Sequence, residues 1–392
     1  MKEQFLDLGM QPIANGFLYN NQIEDEYFFH LRVGFDSETY LVSLMDFVNL
    51  NLMFNDSYAY RASMSKTMRN HFKLLSNKFK KVFNPEKILE IGSNDGVFIK
   101  NFSTNNIIAV EPCGNFSDLT NKMGYKTYNS FWNIDLSNKI KNEAGKRDLI
   151  YSANCMCHIP DIQDAFSAVS NILESDGIFV FEDPSLSDVI KRVSYDQIYD
   201  EHAHIFSILS LSKLLENVGM EIFEVEKLSV HGGSHRIYAR HKSDKTIDQS
   251  VEDIINFEKE LGLHKVETYK KFSDDVKKSK ERLVKKLKEL KLSGKKIISY
   301  GATSKSTTIF NYCEIDTDLI DYIVDTTPEK QGKLSPGVHI PVISPDEGFN
   351  SSVDFAFLGA WNFSNEIIDK EKNFCTGGGK FISHIEKIIK VL

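Results

Sequence analysis

The chain of 392 residues is poor in cysteine, and the five it has stand at 113, 155, 157, 313 and 375 with no C-x-x-C pair among them. A tetrahedral zinc site needs about four Cys or His ligands, usually in such pairs, so no zinc signature is present. The odd count fits a reducing compartment better than a disulfide framework. Cys155-Met156-Cys157, the only close pair, reads most simply as small apolar residues at a sheet edge. No run approaches the roughly 18 apolar residues of a membrane span. The opening Met1-Lys2-Glu3-Gln4-Phe5 lacks a cationic-then-apolar leader. A cytoplasmic location without a membrane partner is therefore expected. Positive charge is short as well. Lys and Arg number 47 against 55 Asp and Glu, a formal net charge of -8, the reverse of a dedicated nucleic-acid binder.

A dinucleotide fingerprint, three glycines spaced G-x-G-x-x-G, is also missing. In its place stands Ile88-Leu89-Glu90-Ile91-Gly92-Ser93-Asn94-Asp95-Gly96-Val97-Phe98. An apolar run carries an acid into a tight turn. Gly92 and Gly96 have no Cβ to collide with a ligand, and Asn94 tolerates left-handed backbone angles better than most residues. The next apolar run, 106–110, ends at Glu111-Pro112. A carboxylate there can accept hydrogen bonds from both hydroxyls of a ribose. The loop resembles the acid-x-Gly-x-Gly-x-Gly turn of class I methyltransferases, with Asn94 replacing the middle glycine. That resemblance implies S-adenosylmethionine as cofactor, held by Glu90, Gly92, Asn94, Asp95, Gly96, Glu111 and Pro112. The ribose is expected on Glu111 and the amino-acid end over Gly92. The bland alternative is a βαβ turn without a ligand.

The length suggests two or three domains. Residues 1–75 read as a small N-terminal unit. It has a loop-like entry at 8–18, candidate strands at 27–33 and 39–44, and Tyr58-Ala59-Tyr60 leading into a helix over 64–83. Its core is small, so it should pack on the domain after it. Residues 76–292 alternate strands (87–91, 107–111, 126–128, 148–152, 177–182) with helical spacing at 162–173 and 210–218, and close with strands at 220–227 and 233–240. Such alternation implies a parallel sheet covered by helices. A lysine- and glutamate-rich helix over 251–290 shows one apolar face at Val276, Leu283, Leu287 and Leu290. Residues 293–392 restart the pattern with a strand at 296–300, the turn Gly301-Ala302-Thr303-Ser304-Lys305, and strands at 319–324 and 355–358. The expected class is α/β: a Rossmann-like methyltransferase domain flanked by a small N-terminal domain and a smaller nucleotide-fold C-terminal domain.

In an open α/β sheet, residues just beyond strand C-termini line the ligand crevice. Asn154 and His158 follow the 148–152 strand and face where a methyl donor would end. For His158, capping of local backbone groups is an equal reading. After the 177–182 strand comes Tyr199-Asp200-Glu201-His202-Ala203-His204. A phenol, carboxylates and imidazoles crowded together are rarely needed for packing alone, and they suit carbon-acid chemistry. Metal ligation by Glu201 and His202 is a weaker reading, since no E-x-x-H helix accompanies them.

With these residues in view, the chain resembles the nucleotide-sugar C-methyltransferases of deoxysugar biosynthesis along nearly its whole length. The match is carried by Leu8-Gly9-x-x-Pro12-Ile13-Ala14-Asn15, Tyr58-Ala59-Tyr60, the Glu90–Gly96 loop, Asn154 with His158, Tyr199-x-Glu201-His202, and His231-Gly232-Gly233-Ser234. Further on it is carried by Tyr300-Gly301-Ala302 with Lys305, Asn311-Tyr312-Cys313, Val324-Asp325, and Lys330-Gln331-Gly332 with Pro336-Gly337. The resemblance implies three domains, with a nucleotide-linked sugar between the cofactor domain and the C-terminal domain, and methylation of a carbon next to a 4-keto group. It implies His202 as base, Tyr199 donating to the substrate oxygen and Glu201 orienting the imidazole, with Asn154, His158 and Tyr60 nearby. It implies substrate contacts from Tyr58, His204, His231, Gly301, Ser304, Lys305, Asp325 and Lys330. The protein is expected to act as a monomer or small homo-oligomer.

Two departures stand out. The family's N-terminal domain carries zinc on two cysteine pairs, and the matching Val33-Gly34-Phe35-Asp36-Ser37 has none, so no metal is expected. Asp200 stands where the family often has a second histidine, and Ala203-His204 replaces bulkier aromatic neighbours. Both bear on sugar specificity and on the reaction. Methylation of a sugar hydroxyl or amine, and a non-catalytic binding homologue, stay open alternatives.

Overall fold

The computed structural model describes residues 2–385; residue 1 and residues 386–392, the outermost ends of the first and last expected domains, lie outside the described residues. The central sheet has seven strands. Their order is Met220–Leu228, Ser234–His241, Leu173–Pro184, Arg147–Ala153, Ile88–Ile91, Ile107–Val110, Lys126–Tyr128. The last five run parallel, and Ser234–His241 pairs antiparallel with both of its neighbours. Ile88–Ile91 is flanked by Ile107–Val110 on one side and Arg147–Ala153 on the other. The strand order reverses here, and crevices for ligands open beyond the carboxyl ends of such strands.

Helices cover both faces. On one side Ala165, Phe166, Val169 and Ile172 of the Ile162–Ile172 helix pack against Ile150, Phe179 and Phe181. On the other, Met68, Phe72, Leu75 and Phe79 of the Lys66–Val82 helix pack with Phe98 and Tyr151. These four stand at helical spacing and form one buried stripe. The Lys66–Val82 helix was expected to begin in the N-terminal unit. Its apolar stripe is satisfied by the central sheet, so the unit ends before it.

The N-terminal entry is a strand as far as Pro12, and only 13–17 of the expected 8–18 loop is irregular. Lys2–Pro12 pairs antiparallel with Phe28–Asp36, with register shifts between Gln4 and Leu6 and between Asp7 and Met10. Each shift slips the two-residue alternation, which hides the strand from a periodicity reading. Val42–Leu44 and His204–Ile205 complete this four-stranded sheet. The charged segment is two helices, Gln249–Glu260 and Val266–Leu292. The longer one buries Tyr269, Phe272, Val276, Leu283 and Leu287 in a core shared with the N-terminal sheet and with Ile309 and Phe310 of the C-terminal domain. Tyr269 stacks on Phe35 at 4.4 Å. That helix therefore serves its neighbours more than the central sheet. The C-terminal domain is a five-stranded parallel sheet, in the order Val342–Ile343, Ile323–Val324, Ile297–Tyr300, Phe355–Leu358, Lys380–Ile382.

Candidate active site

The turn after Ile88–Ile91 has left-handed backbone at Gly92 (φ 75°), Asn94 (φ 47°) and Gly96 (φ 76°). A Cβ at Gly92 would stand 2.7 Å from the Cys155 sulfur, so only glycine fits there. Asn94 does what a glycine cannot. Its Oδ1 accepts the Ala62 N–H at 2.9 Å and its Nδ2 donates to the Tyr60 carbonyl at 3.0 Å. The asparagine thus straps the segment carrying Tyr58 and Tyr60 over the crevice. Glu111 accepts the Asn94 N–H at 2.7 Å and the Cys113 N–H at 2.9 Å. Each carboxylate oxygen keeps a further acceptor site, and Glu111 lies on the cavity wall. Glu90 Oε2 is buried without a partner. Burial, then Glu111 and Asp95, hold the Glu90 carboxyl well above its usual range.

One cavity joins all three regions. The central sheet contributes Glu90, Gly92, Asn94, Glu111, Pro112, Asn154 and His158. The 195–202 segment contributes Gln197, Tyr199, Glu201 and His202, and His231 faces them. Ser304, Lys305 and Lys330 enter from the C-terminal domain, Asn15, Tyr58 and Tyr60 from the N-terminal side.

His202 is the most closely determined group. Its Nδ1 lies 2.6 Å from the Gln197 carbonyl, and its Nε2 lies 2.8 Å from the Tyr199 hydroxyl. A carbonyl only accepts, so Nδ1 carries the proton and Nε2 presents a lone pair. The Tyr199 hydroxyl donates to that lone pair. Burial, then the nearby His158 and Lys305, hold the imidazole well below its usual pKa, so it is neutral. His158 stacks on His202 at 5.3 Å and on Phe54 at 5.4 Å. Burial and then Lys305 lower His158 to about 3.

Several expected residues stand elsewhere. Glu201 does not orient the imidazole. Its oxygens accept from Asn15 Nδ2 at 2.5 Å and from the Tyr58 hydroxyl at 2.9 Å, and the Gln197 carbonyl does the orienting instead. His204 is withdrawn from the cavity. It belongs to the N-terminal sheet, and its Nε2 donates to the Ile159 and Pro160 carbonyls at 3.1 Å. Gly301 lies under the site, where a Cβ would come within 3.0 Å of the Ala360 Cβ. Asp325 braces the facing turn and its own loop, accepting from the Ala302 N–H at 2.6 Å and the Thr327 N–H at 2.7 Å. Asp95 and Gly96 shape the turn without joining the wall; Asp95 accepts the Ser63 N–H at 3.3 Å. Asp200 also points away, accepting the Ala14 N–H at 3.1 Å. The family departure at Asp200 is therefore felt at the N-terminal entry, not in the cavity. Sequence reasoning missed Asn15 and Gln197 as site residues, and Phe54 as the ring under His158. Asn15 belongs to the Leu8–Asn15 motif, but nothing in the pattern ties it to Glu201, which is 186 positions away.

Known proteins resemble this chain in sequence and in part of the fold. Residues 229–385 match the family described as the C-methyltransferase C-terminal domain, and residues 60–225 match a methyltransferase domain family. The C-methyltransferase NovU of Streptomyces niveus is 29% identical over 384 residues, covering 96% of this chain and 91% of that one. The chain is thus similar to C-methyltransferases along nearly its whole length. It is an S-adenosylmethionine-dependent methyltransferase with a class I Rossmann-like central domain. Solved methyltransferases from Clostridium acetobutylicum and Anabaena variabilis align over 45% and 43% of this chain and 92% and 83% of their own, at 18% and 14% identity and a TM-score of 0.36 each. That likeness is confined to less than half the chain.

The methyltransferase's cavity fits its cofactor. The unpartnered Glu90 oxygen suits an ammonium group, Glu111 keeps acceptors for a ribose, and Gly92 keeps the floor clear. Residues 1–54 match a family described as a zinc-binding domain. They hold no cysteine and a single histidine. That histidine, His30, is paired with Asp7 at 2.8 Å. This donor set does not fit a structural zinc, which wants about four Cys or His ligands. Among the described residues one group of three possible metal donors occurs, Cys157, His158 and His202, and all of it lies in the cavity or against its wall. No helix among the described residues is long and apolar enough to cross a membrane.

Proposed function

We propose that this methyltransferase places its methyl group on the carbon next to the ketone of a nucleotide-linked 4-keto-deoxyhexose. The observation that carries the reading is the Tyr199–His202 pair on the cavity wall: a neutral imidazole with its proton fixed on the far nitrogen and its lone pair taken up by the Tyr199 hydroxyl, so that the two can take a proton as a unit. A proton next to a ketone is too weakly acidic to leave unaided, and the site needs a base on one face and positive charge at the oxygen. The α-proton leaves for the Tyr199–His202 pair and ends on Nε2 of His202. The carbon's electron pair then forms the new C–C bond. The bond between methyl and sulfur breaks, its pair staying on sulfur. S-adenosylmethionine supplies the electrophilic methyl; Glu90, Gly92 and Glu111 hold it, and alignment of the two reactants supplies much of the rate. Two lysines of the cavity wall, the half-buried Lys305 and the buried Lys330, suit an anionic substrate such as a nucleotide-linked sugar.

The test is a panel of dTDP-, GDP- and CDP-linked 4-keto sugars with a methyl donor labelled CD3, read by mass spectrometry. A carbon-bound CD3 in one product is the expected result. A label found only on oxygen or nitrogen would sink the carbon reading.

A further inference from the structure

The reaction just described needs a positive group at the ketone oxygen, and the residue expected for that task is already engaged. The Tyr199 hydroxyl donates to His202, so its proton is not available to the substrate oxygen in this arrangement. Glu201 is a carboxylate that takes donors from Asn15 and Tyr58 and brings no positive charge. Lys330 is fastened too: its Nζ donates to the Ala302 carbonyl at 2.6 Å and lies 4.5 Å from the Phe17 ring centre.

Lys305 is different. It is the second residue of the Ser304–Cys313 helix, whose start is fixed by Thr303 accepting the Ser306 N–H. It lines the cavity with Tyr199, His202, His158 and His231. Its Nζ lies 5.7 Å from the centre of the Tyr199 ring. Among the described residues, nothing hydrogen-bonds or ion-pairs with that ammonium. The Asp196 and Glu201 carboxylates act on it only from a distance and are themselves held, by Trp361 and His384 and by Asn15 and Tyr58, so the half-buried ammonium is left to meet charge that arrives with what binds. Two kinds of negative charge arrive with a nucleotide-linked 4-keto sugar: the standing charge of the diphosphate and the charge that grows on the ketone oxygen. Place separates them. Lys305 stands over the ring whose hydroxyl touches the base, at the reacting end of the cavity. Its charge also depresses the proton affinity of His158, His202 and His231.

We propose that Lys305 is a catalytic residue, the cation that hydrogen-bonds the ketone oxygen as it becomes an enolate. The inference rests on the carbon-methylation reading. As the α C–H bond breaks, its proton goes to the Tyr199–His202 pair and its electron pair becomes the carbon–carbon π bond. The carbonyl π pair moves onto oxygen, where the Lys305 ammonium meets it and keeps its own protons. When the carbon takes the methyl, the C=O bond re-forms and the hydrogen bond relaxes. No other reactant is required.

The experiment follows exchange of the α-proton with deuterated water, without methyl donor, in wild type and Lys305→Ala, using the sugar nucleotide that wild type accepts. Exchange in Lys305→Ala should fall about 10²–10³-fold, the usual loss for one oxyanion donor. The KM for the sugar nucleotide should move only a few-fold, and S-adenosylhomocysteine affinity by calorimetry should not change. Added ethylammonium should restore part of the exchange in Lys305→Ala and none in His202→Ala. Lys305→Met keeps the apolar stem and replaces Lys305→Ala if the latter no longer binds S-adenosylhomocysteine. Exchange at the wild-type rate in the variant overturns the proposal. So does a loss confined to KM, which would assign Lys305 to the diphosphate. If wild type itself exchanges no α-proton with any 4-keto sugar nucleotide, the carbon-methylation reading fails and this inference falls with it.

Discussion

In the central sheet the glycine turn after Ile88–Ile91 opens onto the cavity, while in the C-terminal sheet the glycine turn after Ile297–Tyr300 is closed by its own chain. Locally the two are alike. Each runs strand, glycine at positive φ, and a neighbouring parallel strand that ends at an acid, Glu111 in one and Asp325 in the other. Each acid accepts a backbone N–H from the facing turn. What lies above them differs. Gly301 packs under Gly359 and Ala360, and the Lys330 ammonium is tied to the Ala302 carbonyl. Above Gly92 the crevice stays open, and Glu111 reaches its wall. The lesson is that a strand–turn–helix pattern predicts a crevice only where no other part of the chain fills it. The C-terminal domain contributes through the next helix instead, by sending Ser304 and Lys305 into the common cavity.

The largest expected effect separates the reaction centre from the cofactor crevice. His202→Asn should slow α-proton exchange about 10²–10⁴-fold while S-adenosylhomocysteine binds as before. Equal loss of cofactor binding would mean that the two parts are not independent. Next comes the crevice acid. Glu111→Ala removes the ribose acceptor and frees the Asn94 and Cys113 amides, at about 1.5–3 kcal/mol for each charge-assisted hydrogen bond. Cofactor affinity should drop at least tenfold by calorimetry, and an unchanged value would remove Glu111 from the site.

The matching change in the closed turn, Asp325→Ala, should leave cofactor affinity within twofold. It should lower the thermal midpoint by a few degrees, since about 1 kcal/mol moves the midpoint by a few degrees in domains of this size. Lost cofactor binding in this variant would break the comparison. The smallest effect is a pH slope. Burial pushes Asp183, on the strand beside Asn154, up to about 7, and neither of its carboxyl oxygens has a hydrogen-bond partner. A raised carboxyl means that the folded state binds the proton more tightly than the unfolded one. Stability from this group should thus fall as pH rises from about 4 to about 7, and level off above. Asp183→Asn should flatten that fall in urea titrations across the range. An unchanged slope would place the titrating acid elsewhere.

Much of this protein is written locally. The Glu90–Gly96 turn could be read because sharp backbone and ligand clearance both demand residues without a bulky Cβ, within one short stretch. The parallel order followed from apolar runs separated by helical spacing. Lys2–Pro12 escaped because two register shifts broke its alternation. The Lys66–Val82 and Val266–Leu292 helices were visible as helices, but not the surfaces they cover, since an apolar stripe says that it will be buried and not against what.

The residue types of the site were likewise determined by the sequence alone: an imidazole, phenols, carboxylates and lysines that suit proton abstraction beside a methyl donor. Only the tertiary structure decided their roles. Adjacent residues of the 199–204 segment point to different neighbours, so His202 meets the Gln197 carbonyl, Glu201 meets Asn15 and Tyr58, and His204 joins a distant strand. Lys305 stands free beside Tyr199, while Lys330 is tied to a carbonyl. Direction, partner and burial depend on contacts across nearly two hundred positions of chain, as between Asn15 and Glu201, 186 apart. No short-range pattern encodes them.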